Sequence, residues 1–244
     1  MSTTRSFSSG DRTMIITETG DVDGPSFVLL HGLGMGQRYW SELADRLAET
    51  GRVYALDLPG FGDAPEPPEP LDMAASGDFV AHMISEEKLE NVVLVGHSMG
   101  SQVAVEAAAR HPHLVERLVL IAPTVNPHER TAAKQALRML QDASLSQPRV
   151  FAIGAFYYLK AGPRWYIKKL RTMLAHHVEE TMPRIVDETL VIRGEKDRLV
   201  PRDWADEVVR LIPHARLVEV RGRGHETMIT AGEQVARLIA EFAA

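Results

Sequence analysis

Short apolar runs alternate with helical repeats along most of this chain. Continuous hydrophobic stretches, which are typical of strands buried on both faces of a parallel sheet, predict strands at 26–30, 53–56, 92–95, 115–121 and 189–192. Two further strands are predicted at 12–19 and 215–220, and helical spacing predicts helices at 39–49, 73–87, 101–110, 202–211 and 230–242. Strand–helix alternation with short links predicts an α/β fold with a mostly parallel, twisted sheet flanked by helices.

The alternation stops after residue 122 and resumes near residue 187. The intervening stretch contains no convincing strand pattern, and its spacing predicts helices at 128–143, 149–160 and 164–177. We therefore expect residues 1–122 and 187–244 to form an α/β core, and residues 123–186 to form a helical cap, or lid, at the edge of the sheet where ligands bind.

One strand leads into a motif that carries chemistry. The run Val92–Val95 continues into Gly96-His97-Ser98-Met99-Gly100, and a helical run follows at once. Strand, sharp turn and helix in this order are the context that a nucleophile elbow requires, and the N–H of Met99 would supply half of an oxyanion hole. The alternative is a glycine-rich turn capped by a serine.

A serine nucleophile needs a base and an acid. Where the order is serine, acid and histidine, the base follows the last strand, which favours His225 in Gly224-His225 over His214 in the turn before that strand. The acid is expected in the loop after the 189–192 strand, where Asp197 is favoured and Glu195 is the alternative.

The glycine-rich segment after the 26–30 strand is expected to provide the second oxyanion donor. The best candidate is the backbone N–H of Leu33. His31 and Asp57 are interpreted as side chains that shape loops.

Composition removes several other kinds of chemistry. The 244 residues contain no cysteine, which excludes disulfides, thiolate catalysis and cysteine metal sites. A net charge of −6 gives no support for nucleic-acid binding. Residues 1–10 lack the apolar core of a signal peptide and no stretch is long enough to span a membrane, so we expect a cytoplasmic protein.

His176 and His177 with Glu179 and Glu180 are interpreted as a polar helix face, and neither a metal nor a cofactor is expected.

Together these motifs resemble the α/β-hydrolase family, in particular its esterases with a helical cap. The matching segments are 31–34, 57–62, 96–100, 194–197 and 224–225, in family order. The resemblance implies Ser98 as nucleophile, His225 as base, Asp197 as acid, and the N–H groups of Leu33 and Met99 as oxyanion hole. Dehalogenases and epoxide hydrolases of this fold carry aspartate in place of the serine, so neither class fits. Ser101 stands where such proteins often have glycine.

The expected function is hydrolysis of carboxylic esters of small or medium, partly apolar molecules through an acyl-enzyme, by a monomer or homodimer. A carbon–carbon bond hydrolase acting on vinylogous diketones, a lactonase and a ligand receptor without turnover remain alternatives. The carbon–carbon hydrolases usually have asparagine before the serine and tryptophan soon after the histidine, whereas this chain has His97 and, after His225, residues 226–228 (Glu-Thr-Met). A dinucleotide-binding interpretation of the 32–36 glycines fails on spacing.

The cap carries the information about substrate. Aromatic residues cluster between 151 and 166, and we expect Phe151, Phe156, Tyr157 and Trp165 to contribute to an apolar substrate pocket or to pack the cap on the core. Residues 124–186 hold ten Lys and Arg against four Asp and Glu. This basic cap is expected to favour docking on the acidic core, and we hypothesise that it also attracts anionic or polar-headed substrates.

Overall fold

The computed structural model describes residues 2–143 and 148–244, with the side chains of residues 143, 148, 149 and 151 outside that description. The strands are β1 (Ser2–Ser9), β2 (Arg12–Thr19), β3 (Ser26–Leu30), β4 (Arg52–Asp57), β5 (Val92–His97), β6 (Arg117–Ile121), β7 (Glu188–Gly194) and β8 (Ala215–Val220). The helices are α1 (Ser41–Leu47), α2 (Met73–Glu86), α3 (Met99–Arg110), α4 (Ala132–Ala143), α5 (Pro148–Ala161), α6 (Pro163–Ala175), α7 (Val178–Thr181), α8 (Arg202–Leu211), α9 (Thr227–Thr230) and α10 (Gly232–Ala243).

The strands form one sheet in the order β1-β2-β4-β3-β5-β6-β7-β8. β1 and β2 run antiparallel to their neighbours, and every pairing from β4 to β8 is parallel. The predicted α/β fold with a mostly parallel sheet is confirmed. Because β3, β5, β7 and β8 are parallel, the loops that follow them emerge at the same edge of the sheet.

The first strand was not predicted. β1 is serine- and threonine-rich and largely exposed, so it has no apolar alternation to reveal it. It pairs with β2 along its whole length, from Ser2 opposite Thr19 to Ser9 opposite Arg12. Arg5 adds ion pairs to Glu18 on β2 and to Glu87 after α2. Main-chain hydrogen bonds and charged contacts therefore hold an edge strand that buries little apolar surface.

Helices cover both faces of the sheet. α1 packs on α10 over one face, and α2 packs on α3 over the other. The crossover through α1 runs along the sheet in the opposite direction to those through α2 and α3, so right-handed connections place these helices on opposite faces. Every residue of α3 from Met99 to Ala108 is buried, which explains why this helix is rich in alanine. Small side chains allow it to lie between the sheet, α2 and α7.

The stretch between β6 and β7 contains α4, α5, α6 and α7 and no strand among its described residues, in agreement with the predicted helices. The helix predicted from residue 128 begins at Ala132, since Pro127–Glu129 forms a separate 3-10 turn. Three basic side chains bind this stretch to the core: Lys160 pairs with Asp63, Lys168 lies 3.8 Å from Glu69, and Lys169 Nζ donates to the Leu71 carbonyl over 2.8 Å. The prediction that basic residues favour docking therefore agrees with these contacts.

Backbone segments approach each other very closely where β5 turns into α3. A Cβ placed on Gly96 would lie 2.4 Å from the Gly100 carbonyl oxygen, and one on Gly100 would lie 2.2 Å from the Leu30 carbonyl oxygen. Both contacts are with main chain, which cannot rotate away as a flexible side chain would. Glycine at these two positions is what allows the start of α3 to sit against the ends of β3 and β5.

We predict that Gly100→Ala destabilises the protein by about 3 kcal/mol, because the added methyl group must displace the end of β3. The measurement is the free energy of unfolding from urea denaturation. Gly154→Ala is the matched control, since its added Cβ would come no nearer than 3.6 Å to another residue. Inside α5 that change should be neutral or stabilising by up to about 1 kcal/mol. Equal stability of the Gly100→Ala variant and the parent would contradict the proposed close packing.

Candidate active site

Four loops of the sheet edge meet at one cavity. Gly32 and Leu33 follow β3, Ser98 follows β5, and His225 follows β8; all of them line a cavity of about 190 Å³. Asp197, after β7, contacts His225 from behind. The sequence-predicted site residues are thus brought together by the parallel strands that precede them.

A second cavity of about 360 Å³ adjoins the first. The two cavities share a set of lining residues: Met35, Met139, Leu199, His225 and Glu226. Their walls are mainly apolar, and α4 and α6 supply one side of the first cavity through Ala132, Gln135, Ala136, Met139, Tyr166, Leu170 and Met173.

Ser98 occupies the turn between β5 and α3 in a conformation that is rare for a residue with a side chain. Its φ of 53° and ψ of −118° form a strained backbone conformation, and backbone strain of this kind is found mainly at functional sites. Met99 is the first residue of α3, so its N–H has no acceptor within the helix. Ser101 donates both its N–H (3.0 Å) and its hydroxyl (2.5 Å) to the Ser98 carbonyl. The departure from glycine at position 101 therefore adds a hydrogen bond that fixes the turn.

His225 and Asp197 form a buried pair. Nδ1 of His225 lies 2.9 Å from Oδ2 of Asp197, while Oδ1 of Asp197 accepts the N–H groups of Leu199 (2.8 Å) and Val200 (2.9 Å). The carboxylate accepts only, so Nδ1 carries the proton and Nε2 is the basic nitrogen. Burial is the largest single influence and lowers the pKa of His225, but the charge and hydrogen bond of Asp197, together with the charges of Glu226 and Asp142, outweigh it and raise this pKa to about 9.

The alternative acid and base lie elsewhere. Glu195 is exposed, and its carboxylate accepts the Gly222 N–H at 2.7 Å. His214 is also exposed, and its carbonyl accepts the N–H of Thr189, near the beginning of β7. His214 therefore sits at the opposite edge of the sheet from Ser98. The geometry favours Asp197 and His225 over both.

The loop after β3 lies directly against the serine. A Cβ on Gly32 would be 3.3 Å from the Ser98 Cβ, and Leu33, the next residue, lines the same cavity as Ser98. His31 holds this loop: Nδ1 lies 2.8 Å from the Gly32 carbonyl and Nε2 accepts the Leu58 N–H at 3.0 Å. Burial lowers the pKa of His31 to about 4. The ring is therefore neutral and fits the expected loop-shaping role.

Asp57 also shapes a loop, as the sequence suggested. Its two carboxylate oxygens accept the N–H groups of Gln37 at 2.6 Å and Asp63 at 2.8 Å. It thereby joins the segments that follow β3 and β4.

A buried hydrogen-bond chain that the sequence did not indicate runs behind the site. The Gly32 N–H donates to the Tyr39 hydroxyl (3.0 Å), this hydroxyl lies 3.0 Å from Nδ1 of His97, and Nε2 of His97 lies 3.3 Å from the His225 carbonyl oxygen. The Tyr39 hydroxyl has one proton, which fits donation to Nδ1 and leaves Nε2–H to donate to the carbonyl. Burial holds the pKa of His97 well below its ordinary value, so a neutral ring links the loops after β3, β5 and β8.

Three of the four aromatics expected to line a pocket or to pack residues 123–186 on the core lie away from the cavities beside His225. Phe156 is 51% exposed, Tyr157 (3% exposed) accepts the Arg38 N–H on its hydroxyl, and Trp165 (3% exposed) packs over Gly60. None of these three lines either cavity beside His225. Tyr157 and Trp165 fix the cap to the core instead. The Phe151 side chain lies outside the described residues.

Two other aromatic residues of the cap face the cavities. Tyr166 lines the first cavity and Tyr158 lines the second. Their rings meet edge to face, with centroids 5.2 Å apart. Helical spacing could have identified Tyr166, because Tyr166, Leu170 and Met173 lie on one face of α6 and all line the first cavity.

Residues 176–180, which lie at the junction of α6 and α7 rather than on one helix face, contact charged groups, and burial lowers the pKa of His176. His176 Nε2 lies 3.3 Å from Glu106, and Arg130 holds Glu179 in two contacts of 2.6 and 2.7 Å. No group of His, Asp and Glu among the described residues has the arrangement of a metal site. Within the same residues, no helix combines the length and apolar character that crossing a membrane requires.

Comparisons with known proteins agree with the observed fold. The model of the Alpha/beta hydrolase family matches residues 27–238. AB hydrolase superfamily protein YisY of Bacillus subtilis is 26% identical over 94% of this chain and 95% of its own length. The Vibrio cholerae pimeloyl-[acyl-carrier protein] methyl ester esterase is 25% identical over 90% and 94%. The enol-lactonase from Burkholderia xenovorans superposes with a TM-score of 0.82 at 22% identity, over 98% of this chain and 99% of that one.

We predict that Tyr39→Phe destabilises the protein by about 1–3 kcal/mol, because it leaves the Gly32 N–H and Nδ1 of His97 buried without their partner. Chemical denaturation monitored by circular dichroism measures the change. Tyr158→Phe, at a residue that is 44% exposed, is the control and should remain within about 0.5 kcal/mol of the parent. If both variants have parental stability, the chain through His97 does not hold these loops.

Proposed function

This chain belongs to the Alpha/beta hydrolase family, and on that premise we propose that it is a serine hydrolase that cleaves carboxylic esters through an acyl-enzyme. The proposed roles are Ser98 as nucleophile, His225 as base and Asp197 as the acid that orients the base. The N–H groups of Leu33 and Met99 form the proposed oxyanion hole. Residues 123–186 act as a cap over the cavity.

The observation that carries this proposal is the buried pair of His225 and Asp197 beside a strained serine. Nδ1 of His225 is bound to the carboxylate at 2.9 Å, and both His225 and Ser98 line one cavity. A bond at Nδ1 fixes the tautomer and leaves Nε2 to act as base. A serine hydroxyl is a weak nucleophile at neutral pH, so a base of this kind is what makes attack feasible.

The reaction begins when Nε2 of His225 removes the Ser98 proton and Oγ attacks the ester carbonyl carbon. The negative charge that develops on the carbonyl oxygen is stabilised by the N–H groups of Leu33 and Met99. The charge on the imidazolium is balanced by Asp197. Collapse of this intermediate breaks the carbon–oxygen bond, and His225 donates its proton to the leaving alkoxide.

Water then completes the cycle. His225 removes a proton from a water molecule that attacks the acyl-enzyme, and the acid is released as Ser98 recovers its proton. The mainly apolar walls supplied by α4 and α6 favour acyl or alcohol groups with hydrocarbon character. Small or medium, partly apolar esters are therefore the proposed substrates.

A lactone is the second candidate substrate class. The structural similarity to an enol-lactonase favours it, and a lactone is a cyclic ester that the same groups can open. A panel of p-nitrophenyl esters, lactones, thioesters and vinylogous diketones separates the alternatives. Faster turnover of the diketones than of any ester would indicate carbon–carbon hydrolysis, and absence of turnover with tight binding would indicate a receptor.

We predict that Ser98→Ala lowers kcat for p-nitrophenyl butyrate by about 10⁴-fold or more, because the variant lacks the hydroxyl that forms the proposed acyl-enzyme. Release of p-nitrophenol in steady state measures this loss. Ser76→Ala is the matched control: this buried serine of α2 binds the Asp72 carbonyl, and its loss should leave kcat within about two-fold of the parent. Parental turnover by Ser98→Ala would refute the proposed nucleophile.

We predict that kcat/KM falls on the acid side with a midpoint above pH 6.5, because only neutral His225 accepts the serine proton and Asp197 raises its pKa. In Asp197→Asn the charge is lost and burial then dominates, so the midpoint should move to lower pH while kcat falls by about 10⁴-fold. The measurement is the pH profile of ester hydrolysis from pH 5 to 10. An unchanged midpoint in this variant would show that Asp197 does not set the pKa of the base.

The hypothesis that the basic cap attracts anionic substrates stays a prediction. It requires kcat/KM for an anionic ester to fall with added NaCl more steeply than kcat/KM for a neutral ester. Equal salt dependence of the two would discard it.

A further inference from the structure

Helix α4 of the cap inserts a carboxylate between the loops that carry Asp197 and His225. Asp142 is 2% exposed. Its Oδ1 accepts the N–H of Arg198 at 3.1 Å, and its Oδ2 accepts the N–H of His225 at 3.3 Å. Arg198 directly follows Asp197, so a single side chain of the cap binds the backbone of both loops.

The two loops already meet at their bases. The Lys196 N–H donates to the Arg223 carbonyl at 2.7 Å, and the Glu195 N–H donates to the Val220 carbonyl at 3.0 Å. Asp142 adds a contact nearer the reacting groups, at His225 itself and next to Asp197. A Cβ on Gly224 would lie 3.3 Å from each oxygen of Asp142, so the glycine before His225 leaves room for this approach.

We propose that Asp142 is a positioning residue, which holds the Asp197 and His225 loops at the separation that keeps the Nδ1–carboxylate bond aligned. This inference rests on the proposed function, since it assigns Asp142 a part in the same site. It also makes the cap a component of the proposed catalytic apparatus, because a displacement of α4 would withdraw one support from both loops.

The chemistry of a buried carboxylate supports this role. A charge buried this deeply is costly unless hydrogen bonds compensate it, and hydrogen bonds from backbone N–H groups to an anion are among the stronger ones in proteins. Asp142 accepts two bonds of this kind, at 3.1 and 3.3 Å; burial raises the pKa of its carboxyl, and the two N–H groups of Arg198 and His225 counteract that rise. The two bonds order both loops, and misplacement of a catalytic group by about 1 Å can lower the rate about 100-fold.

Asp142 also acts on His225 through its charge. Among the described residues, the charges of Asp197, Glu226 and Asp142 favour the protonated His225 ring, and the neighbouring His97 ring opposes it. Removing the charge of Asp142 should therefore lower the pKa of His225 by a smaller amount than removing that of Asp197. This gives a readout that a merely structural role would not change.

The test compares Asp142→Asn with the parent in p-nitrophenyl butyrate hydrolysis. The amide oxygen of asparagine can accept a hydrogen bond from one of the two backbone N–H groups, but its NH₂ group faces the other N–H and cannot accept. The substitution therefore removes one hydrogen bond with little change in side-chain volume. We expect kcat to fall about 10- to 100-fold with KM within about two-fold, and the acid midpoint of kcat/KM to move to lower pH. Asp142→Ala should also lower kcat and the acid midpoint, and it provides the test if the Asp142→Asn variant does not fold.

Asp78→Asn is the matched control, because Asp78 is a half-buried carboxylate that binds Arg110 and His111 on the outside of α2 and α3, away from the cavities. It should leave kcat and the midpoint unchanged. A folded Asp142→Asn protein with parental kcat and midpoint would overturn the proposal. So would a rise in KM alone, since Asp142 would then only attach the cap.

The same assay with Ser98→Ala separates this proposal from the proposed function. If Ser98→Ala retains turnover, the proposed nucleophile is wrong whatever the Asp142 variants do. If Ser98→Ala is inactive and Asp142→Asn is fully active, the hydrolase assignment stands and the positioning role alone fails.

Discussion

The candidate site depends on the immobilisation of one imidazole ring. His225 is bound at Nδ1 by Asp197, at its carbonyl by His97 and at its N–H by Asp142. These partners come from three distant segments of the chain, and each bond removes a rotation or displacement that would otherwise misdirect Nε2. The loop after β8 could not restrict the ring in this way by itself, because its backbone hydrogen bonds fix only the part of the loop next to the strand.

The apolar surroundings make this polar framework both necessary and effective. Electrostatic attraction is stronger where water is excluded, so the contact between Asp197 and His225 has more influence on the ring than it would have in solvent. The same exclusion makes an unpaired polar group expensive. The chain from Gly32 through Tyr39 to His97 satisfies groups that an apolar filling would leave unpaired, and it connects the loop of the proposed oxyanion hole to the loop of the base.

The sequence predicts those parts of the molecule that are governed by local period and chain order. β2, β3, β8 and α8 have the predicted bounds, because buried strands and amphipathic helices have distinct spacing. Asp197 and His225 were predictable because the loops after parallel strands share one edge, and the structure brings them into contact. β1 was missed because a polar edge strand is held by pairing rather than by burial.

Contacts between remote segments leave no such pattern. The helical pattern of α4 is the same whether or not the carboxylate of Asp142 contacts Arg198. Likewise, no residue near Tyr39 in the sequence indicates that the Tyr39 hydroxyl contacts His97. The sequence does not separate the two alternatives for the cap aromatics for a related reason. Composition shows that a segment has rings to bury, but it does not say against which surface each ring packs.

Helix α6 shows how the cap combines attachment with enclosure. Trp165 and Lys169, four residues apart, face the core, where the indole covers Gly60 and the ammonium binds the Leu71 carbonyl. Tyr166, Leu170 and Met173 occupy the neighbouring face and line the cavity. Since attachment and enclosure lie on different faces of one helix, the cavity-facing residues can change in size without removing the contacts that hold the cap.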